Sequence, residues 1–405
     1  MREISLDGRP AGVAALAEAL AAVLDGGPAV LPLDGRSPSV ATLREAMAPD
    51  EPVEPNTAVI IATSGSTGEP KGVLLSADAL VASARATHDR LGGPGRWLLA
   101  TPAQYVGGLQ VLTRALLAGT RPAAVDLSVP FRSGSFLAAA REVLTGAGPG
   151  ASGPYYTAMV PTQLARLLDG GDVDGREALT ALRAFDAIIL GAAATPPRLR
   201  ERAEAAGVRV VTAYGMSETA SGCVYDGRPL DGLRVRLADG AGADRDGVGT
   251  VELSGPMLAH GYRRRPELTA TAFAGGWFRT GDAGRLADGT LEILGRTDDM
   301  VNTGGVKVPP TLVERALATL PEVREACVVG VPDERWGQAV VAAVVPADPS
   351  TLPREDALRA VVRARAGRAA APKRFLFVAE LPLRGPGKID RVAVRELFTR
   401  PFADR

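Results

Sequence analysis

Residues 63–72 read Thr63-Ser64-Gly65-Ser66-Thr67-Gly68-Glu69-Pro70-Lys71-Gly72. They follow directly on a β-branched apolar run at residues 57–62 (TAVIIA), which reads as a buried strand. Hydroxyls, glycines and one lysine in this order can wrap a polyphosphate with backbone N–H groups and a cation. The stretch is not a Walker A loop, which needs Gly before its lysine and Ser or Thr after it. Pro70 and Gly72 occupy those positions, and no helix starts at Lys71. A P-loop phosphotransferase is therefore disfavoured. A solvated Ser/Gly turn is the bland alternative, and the full ten-residue string argues against it.

Outward from this loop, strands and helices alternate. Ser76 can cap a helix running to about Leu91, with Asp78 in its first turn. Residues 155–160, 187–190 and 208–213 read as strands. A helix capped by Thr195, with Pro196 in its first turn and Gly207 past its end, separates the last two. This rhythm predicts an α/β architecture with a mostly or partly parallel sheet. After Gly222 the helices thin out, and Asp288-Gly289 carries a β-hairpin signal. The last hundred or so residues start afresh. Helices are expected near 311–320 and 354–366, and strands at 326–331, 339–345 and 375–378. The division expected is a large domain over 1–297 and a small α+β domain over 298–405.

The chain has 405 residues, with 46 basic and 46 acidic side chains. That balance argues against a nucleic-acid binder held by bulk electrostatics. Apolar residues make up 46%, enough for a sizeable core. Cys223 and Cys327 are too few for a disulfide framework, and no stretch approaches the ~20 apolar residues of a membrane span. A cytoplasmic location is expected. Only Lys71, Lys307, Lys373 and Lys388 are lysines; every other basic residue is arginine. Where arginine is the default, a compact flexible ammonium draws attention to its position.

Four further strings stand in order along the chain: Tyr214-Gly215-Met216-Ser217-Glu218, Arg279-Thr280-Gly281-Asp282, Gly295-Arg296-Thr297-Asp298-Asp299 and Gly387-Lys388-Ile389-Asp390-Arg391. With the loop at 63–72 they resemble the motifs of the adenylate-forming superfamily, which includes acyl-CoA synthetases, luciferases and peptide-synthetase adenylation domains. The resemblance runs from Thr57 to the end. It implies a large adenylate-forming N-terminal domain with mixed sheets and helices, and a small C-terminal domain on a hinge. Two departures stand out. Only 62 residues precede the loop, so the first part of the large domain reads as shortened, and Tyr105 stands where many relatives carry histidine.

The resemblance also implies a chemistry. A carboxylate attacks the α-phosphate of ATP and expels pyrophosphate; a thiol then attacks the acyl-adenylate and expels AMP. Lys71 and the stretch Thr63, Ser64, Gly65, Ser66, Thr67 and Gly68 would hold the phosphates. Glu218 would take Mg²⁺ and Ser217 would donate to the α-phosphate. Tyr214 would stack on adenine, with Gly215 beside it in the cofactor site and the backbone of Gly191, Ala192 and Ala193 lining the other side. Asp282 would accept from ribose hydroxyls, and Arg296 would add a second contact to ribose or phosphate. Lys388 would bridge carboxylate and α-phosphate, Asp298 would be the hinge, and Gly304, Gly305 and Lys307 would line the CoA approach. Gln104, Tyr105, Gly108, Leu109, Met216, Ser221 and Gly222 would line the acid pocket.

The segments around residues 97–119, 155–168 and 214–232 are similar to those of actinobacterial o-succinylbenzoate–CoA ligases of menaquinone synthesis. The function expected is thus an AMP-forming acid–CoA ligase using ATP, Mg²⁺ and CoA. The alternative is a ligase for another aryl or acyl acid, or a stand-alone adenylation enzyme that loads a carrier protein in natural-product synthesis. The partners expected are small molecules, neither nucleic acid nor membrane, with a homodimer as the compatible assembly. His88, His260 and Cys223 lie outside any catalytic context and read as structural.

Overall fold

The computed structural model describes residues 1–63, 69–146, 153–238, 247–383 and 389–399. They fall into two compact units. One comprises Met1–Thr195, Arg202–Val235 and Glu252–Arg279; the other comprises Pro196–Glu201, Arg236–Val251 and the chain from Thr280 onward.

The first unit carries two sheets. In one, the strands Arg2–Leu6, Val30–Asp34 and Val59–Thr63 run parallel; Lys71–Leu75 and then Gly261–Tyr262 add antiparallel. Val59, Ile60 and Ile61 are fully buried, which explains an unbroken apolar run where a half-exposed strand would alternate. The second sheet has seven strands. Val210–Met216, Ala187–Leu190, Tyr155–Met159, Arg96–Leu99 and Ala123–Ala124 are parallel neighbours in that order. The hairpin strand Ser221–Tyr225 adds antiparallel to Val210–Met216. Helices join the parallel strands. Ala77–Leu91 begins as its sequence requires, with the Ser76 side chain accepting from the Ala79 N–H at 3.1 Å.

The second unit contains the hairpin at Asp288-Gly289, where Ala287 faces Thr290 and both turn residues have positive φ, 48° and 71°. Its other sheet centres on two long antiparallel strands, Val323–Asp333 and Gly337–Pro346. Side chains alternate across that sheet. Val328, Val340, Ala342 and Val344 pack with the helices Pro310–Leu317 and Glu355–Ala366. Cys327, Val329, Val341 and Ala343 pack on the other face with Leu381 and Val394, the latter from the helix Arg391–Thr399. A sheet covered on both faces makes this unit α+β.

Candidate active site

Lys71 and Thr63 form the last facing pair of their antiparallel strands. Thr63 Oγ1 donates to the Lys71 carbonyl at 3.3 Å. Residues 64–68, and with them Ser64, Gly65, Ser66, Thr67 and Gly68, lie outside the described residues. Gly72 is required by packing: a Cβ there would sit 2.5 Å from Met47 Sδ and 2.8 Å from Arg263 Cβ.

The other edge of Lys71–Leu75 is taken by the short strand Gly261–Tyr262, with Tyr262 opposite Val73. The buried Tyr262 lies between two of the expected site residues. Lys71 Nζ stands 5.7 Å from the centre of its ring, within cation–π range. Its hydroxyl donates to Glu218 Oε1 at 3.0 Å. Burial first, and then the Glu218 carboxylate, hold the Tyr262 phenol well above the usual tyrosine range, so it stays a donor.

Glu218 reaches this point from the 3₁₀ turn Ser217–Thr219 at the end of Val210–Met216. The Met216 N–H donates to Thr219 Oγ1 at 2.9 Å, and the Ala259 N–H donates to the Glu218 carbonyl at 2.8 Å. Ala220 and Ser221 continue the turn with φ of 48° and 91°. The chain then returns as Ser221–Tyr225, pairing Met216 with Ser221 and Gly215 with Gly222. A Cβ on Gly215 would meet the Ser221 carbonyl oxygen at 2.1 Å, so the hairpin itself demands that glycine.

Tyr214, Gly215 and Met216 end one parallel strand, and Gly191, Ala192 and Ala193 follow the next, in which Leu190 faces Thr212. The segment 100–109 follows Arg96–Leu99 in the same sheet. All three groups therefore gather at the carboxyl ends of parallel strands, where open α/β sheets bind ligands. Gly191 N–H donates to the Met159 carbonyl at 3.2 Å, and Ala192 has φ of 66°. Of the expected pocket lining, Tyr105 is 40% exposed and stands at the N-cap of the helix Val106–Leu117. Gln104 is buried, and its amide donates to Asp34 Oδ2 at 3.1 Å. Leu109 is fully buried, and a Cβ on Gly108 would lie 2.3 Å from the Pro102 carbonyl oxygen.

In the second unit, Asp282 faces Arg296 across the hairpin, 3.7 Å separating Oδ1 from Nη1. The same guanidinium holds Asp298 through Nε at 3.1 Å and Nη2 at 3.2 Å. Burial opposes ionisation of Asp298, yet the bond and charge of Arg296 prevail and lower its pKa. Gly304 and Gly305, with φ of 59° and 79°, turn the chain between Val301–Thr303 and Val306–Val308, and Lys307 lies exposed on the second strand. A Cβ on Gly304 would touch the Trp336 ring at 2.6 Å. Lys388 lies outside the described residues. Its flanks approach each other through a bridge between Leu383 and Ile389, and Arg391 just beyond is fixed to both carboxylate oxygens of Glu314 at 2.7 and 3.0 Å.

The residues set aside as structural are buried or bonded accordingly. His88 accepts from Trp97 Nε1 at 3.3 Å, and burial, then the Arg114 charge, push its pKa down to about 4. Burial pushes the Cys223 thiol up to about 12, leaving it unreactive. Among the described residues, no group of three or more His, Cys, Asp or Glu gathers as a metal cage.

A family model described as AMP-binding enzyme matches residues 10–263, and one described as AMP-binding enzyme C-terminal domain matches 312–388. The chain belongs to the AMP-binding enzyme family. It has that family's large N-terminal domain with mixed sheets and helices, and its C-terminal domain. This AMP-binding enzyme is 43% identical to a Mycobacterium tuberculosis protein named "Probable 2-succinylbenzoate--CoA ligase", over 86% of each chain. It is 34% identical to the 2-succinylbenzoate--CoA ligase of Geobacillus kaustophilus, over 85% of this chain and 70% of that one. Among solved structures, ATP-bound MatB from Rhodopseudomonas palustris matches with a TM-score of 0.78 and 25% identity, covering 98% of this chain and 88% of MatB.

Sequence reading missed Tyr262 and Arg263. Their strand is two residues long and pairs with one nearly two hundred positions earlier, so no local periodicity marks it. The only available signal was an aromatic followed by three arginines ahead of the helix Pro266–Ala272.

Proposed function

We propose that this enzyme is an ATP-dependent acid–CoA ligase acting on o-succinylbenzoate. The observation that carries the reading is the meeting of one cation, Lys71, and one carboxylate, Glu218, on a single ring beside the 63–72 segment. A phosphate chain needs such a pair: an ammonium for its oxygens, and a hard oxygen ligand for its metal. The relative from Mycobacterium tuberculosis supports the choice of acid. The single carboxylate fits Mg²⁺, which is commonly held by one or two carboxylates with substrate phosphates and water. Bound there, Mg²⁺ would neutralise charge on the leaving pyrophosphate.

The chain's own residues then have distinct tasks. Lys71 holds phosphate oxygens, and Ser217 donates toward the α-phosphate. Tyr214 and the 191–193 backbone enclose adenine, while Asp282 and Arg296 hold the ribose. Lys388 steadies charge as the carboxylate oxygen bonds to the α-phosphorus and the bond to pyrophosphate breaks. In the second step the CoA sulfur bonds to the acyl carbon, AMP leaves, and the thiol proton passes to solvent. Enzyme incubated with o-succinylbenzoate, ATP and CoA should release AMP and pyrophosphate in equal amounts and form the thioester. Release of ADP, or transfer to a phosphopantetheinyl carrier in preference to CoA, would overturn this reading.

We further propose Asp298 as the pivot on which the C-terminal domain turns between the two steps. A pivot must change φ and ψ, and proline locks φ near −65°. Asp298→Pro should form acyl-adenylate at a useful rate and pass it to CoA about 100-fold more slowly, as a 1 Å misplacement of reacting groups does. Asp298→Ala, which also loses the Arg296 bond but keeps its torsional freedom, separates the two effects. It should retain thioester formation. Single-turnover rates of each half-reaction decide the matter, and a folded proline variant with a normal second step removes the pivot from Asp298.

A further inference from the structure

The adenylation reading assigns Lys71 and Glu218 to opposite needs of one phosphate chain, but it gives nothing to hold them in register. They come from different sheets: Lys71 opens a strand of the five-stranded sheet, and Glu218 follows a strand of the seven-stranded one. Tyr262 touches both. Its ring lies under the ammonium, and its hydroxyl bonds one oxygen of the carboxylate. The ring also has an aromatic neighbour. Phe273 packs against it with ring centres 5.7 Å apart, and Phe278 stacks on Phe273 at 4.8 Å. The Tyr262 N–H donates to Thr269 Oγ1 at 2.9 Å, and the next residue, Arg263, is anchored by its own hydrogen bonds. A residue that contacts two charged groups and is itself held by its neighbours is built to fix their separation.

We infer that Tyr262 is a positioning residue for adenylation: its hydroxyl orients the Glu218 carboxylate toward the metal of metal–ATP, and its ring places the Lys71 ammonium. This rests on the adenylation reading above. The two contacts separate cleanly by substitution. Tyr262→Phe keeps the ring under Lys71 and removes only the bond to Glu218. Tyr262→Leu removes both.

The test follows Mn²⁺ binding to the full-length enzyme with ATP by electron paramagnetic resonance, alongside metal-free ATP binding by calorimetry. Tyr262→Phe should weaken Mn²⁺ binding about tenfold, the lower end for a hydrogen bond to a charged group. Its metal-free ATP affinity should stay within about twofold, since the cation–π contact survives. Tyr262→Leu should weaken both. Pyrophosphate release by Tyr262→Phe should fall and recover at high Mg²⁺, while thioester formation from supplied acyl-adenylate stays unchanged. In a Glu218→Gln background the same substitution should add little, because the two act through one contact. The inference fails if Tyr262→Phe leaves metal affinity unchanged, if its effect adds fully to that of Glu218→Gln, or if both half-reactions fall alike with the melting temperature. Wild-type enzyme that releases no pyrophosphate with any acid would count against the ligase reading instead, and the Mn²⁺ measurement would still decide the role of Tyr262.

Discussion

Replacing Lys388 by alanine is expected to slow acyl-adenylate formation by about 10³-fold, the upper range for removing one positioned charge donor. Thioester formation from supplied acyl-adenylate should remain within about threefold of wild type, since a group used only in the first transition state costs the second nothing. The motive is chemical. As the carboxylate oxygen approaches the α-phosphorus, negative charge gathers between two anions, and a cation there stabilises the transition state more than the ground state. Once pyrophosphate has left, that demand ends. Lys388 suits the task because a lysine ammonium is a compact charge on a flexible stem, whereas the arginines that dominate this chain present a planar fork. Among the described neighbours, Leu383 bridges Ile389 and Arg391 is bound to Glu314. Pyrophosphate release and single-turnover thioester formation, measured separately, check it. Equal losses in the two half-reactions would remove Lys388 from this role.

Arg263→Met should destabilise the first unit by ~3–5 kcal/mol, the usual cost of removing one partner from a buried charged network. The Arg263 side chain is 1% exposed, and each of its five N–H donors finds an acceptor. Nε donates to the Met47 carbonyl at 3.0 Å, and Nη1 donates to Pro52 O at 2.6 Å and Glu54 Oε2 at 2.9 Å. Nη2 donates to the carbonyls of Ala48 at 2.8 Å and Glu51 at 3.3 Å. Methionine fills much of the volume but leaves four carbonyls and a carboxylate without this partner. A fall in melting temperature on the order of 10 °C is the readout for a unit of this size. The network also sets a pH dependence. Burial alone would raise the Glu54 pKa, but the bonds from Arg263 and the Arg264 N–H prevail and lower it. A depressed carboxylate contributes stability above its unfolded pKa and loses it as pH falls through the folded value. Wild type should therefore lose this contribution in acid, and Arg263→Met, lacking it, should show a flatter melting profile there. An Arg263→Met enzyme that melts with wild type would show that the 47–54 segment does not depend on this side chain. The Arg263 backbone N–H donates to the Gly72 carbonyl at 2.7 Å, and methionine keeps that donor, so the pairing of this strand with Lys71–Leu75 should survive the substitution.

Sequence alone determined what short-range physics writes into neighbouring residues. The apolar run before Thr63 became a buried strand, Ser76 became a helix cap, and Asp288-Gly289 became a two-residue hairpin turn with both φ values positive. Each follows from side-chain periodicity, a hydroxyl beside free N–H groups, or the tolerance of one residue type for the left-handed region. The motif strings pointed to adenylate chemistry by a different route, their resemblance in order and residue type to those of the adenylate-forming superfamily. Only the tertiary structure decided which groups meet. It placed Gln104 on Asp34, set the Arg296 guanidinium between Asp282 and Asp298, and put Tyr262 between Lys71 and Glu218. The last arrangement depends on a strand at 261–262 closing on one at 71–75 across a separation that no local pattern encodes. A lone tyrosine carries no sign of its partners until pairing and burial bring a cation to its face and a carboxylate to its hydroxyl.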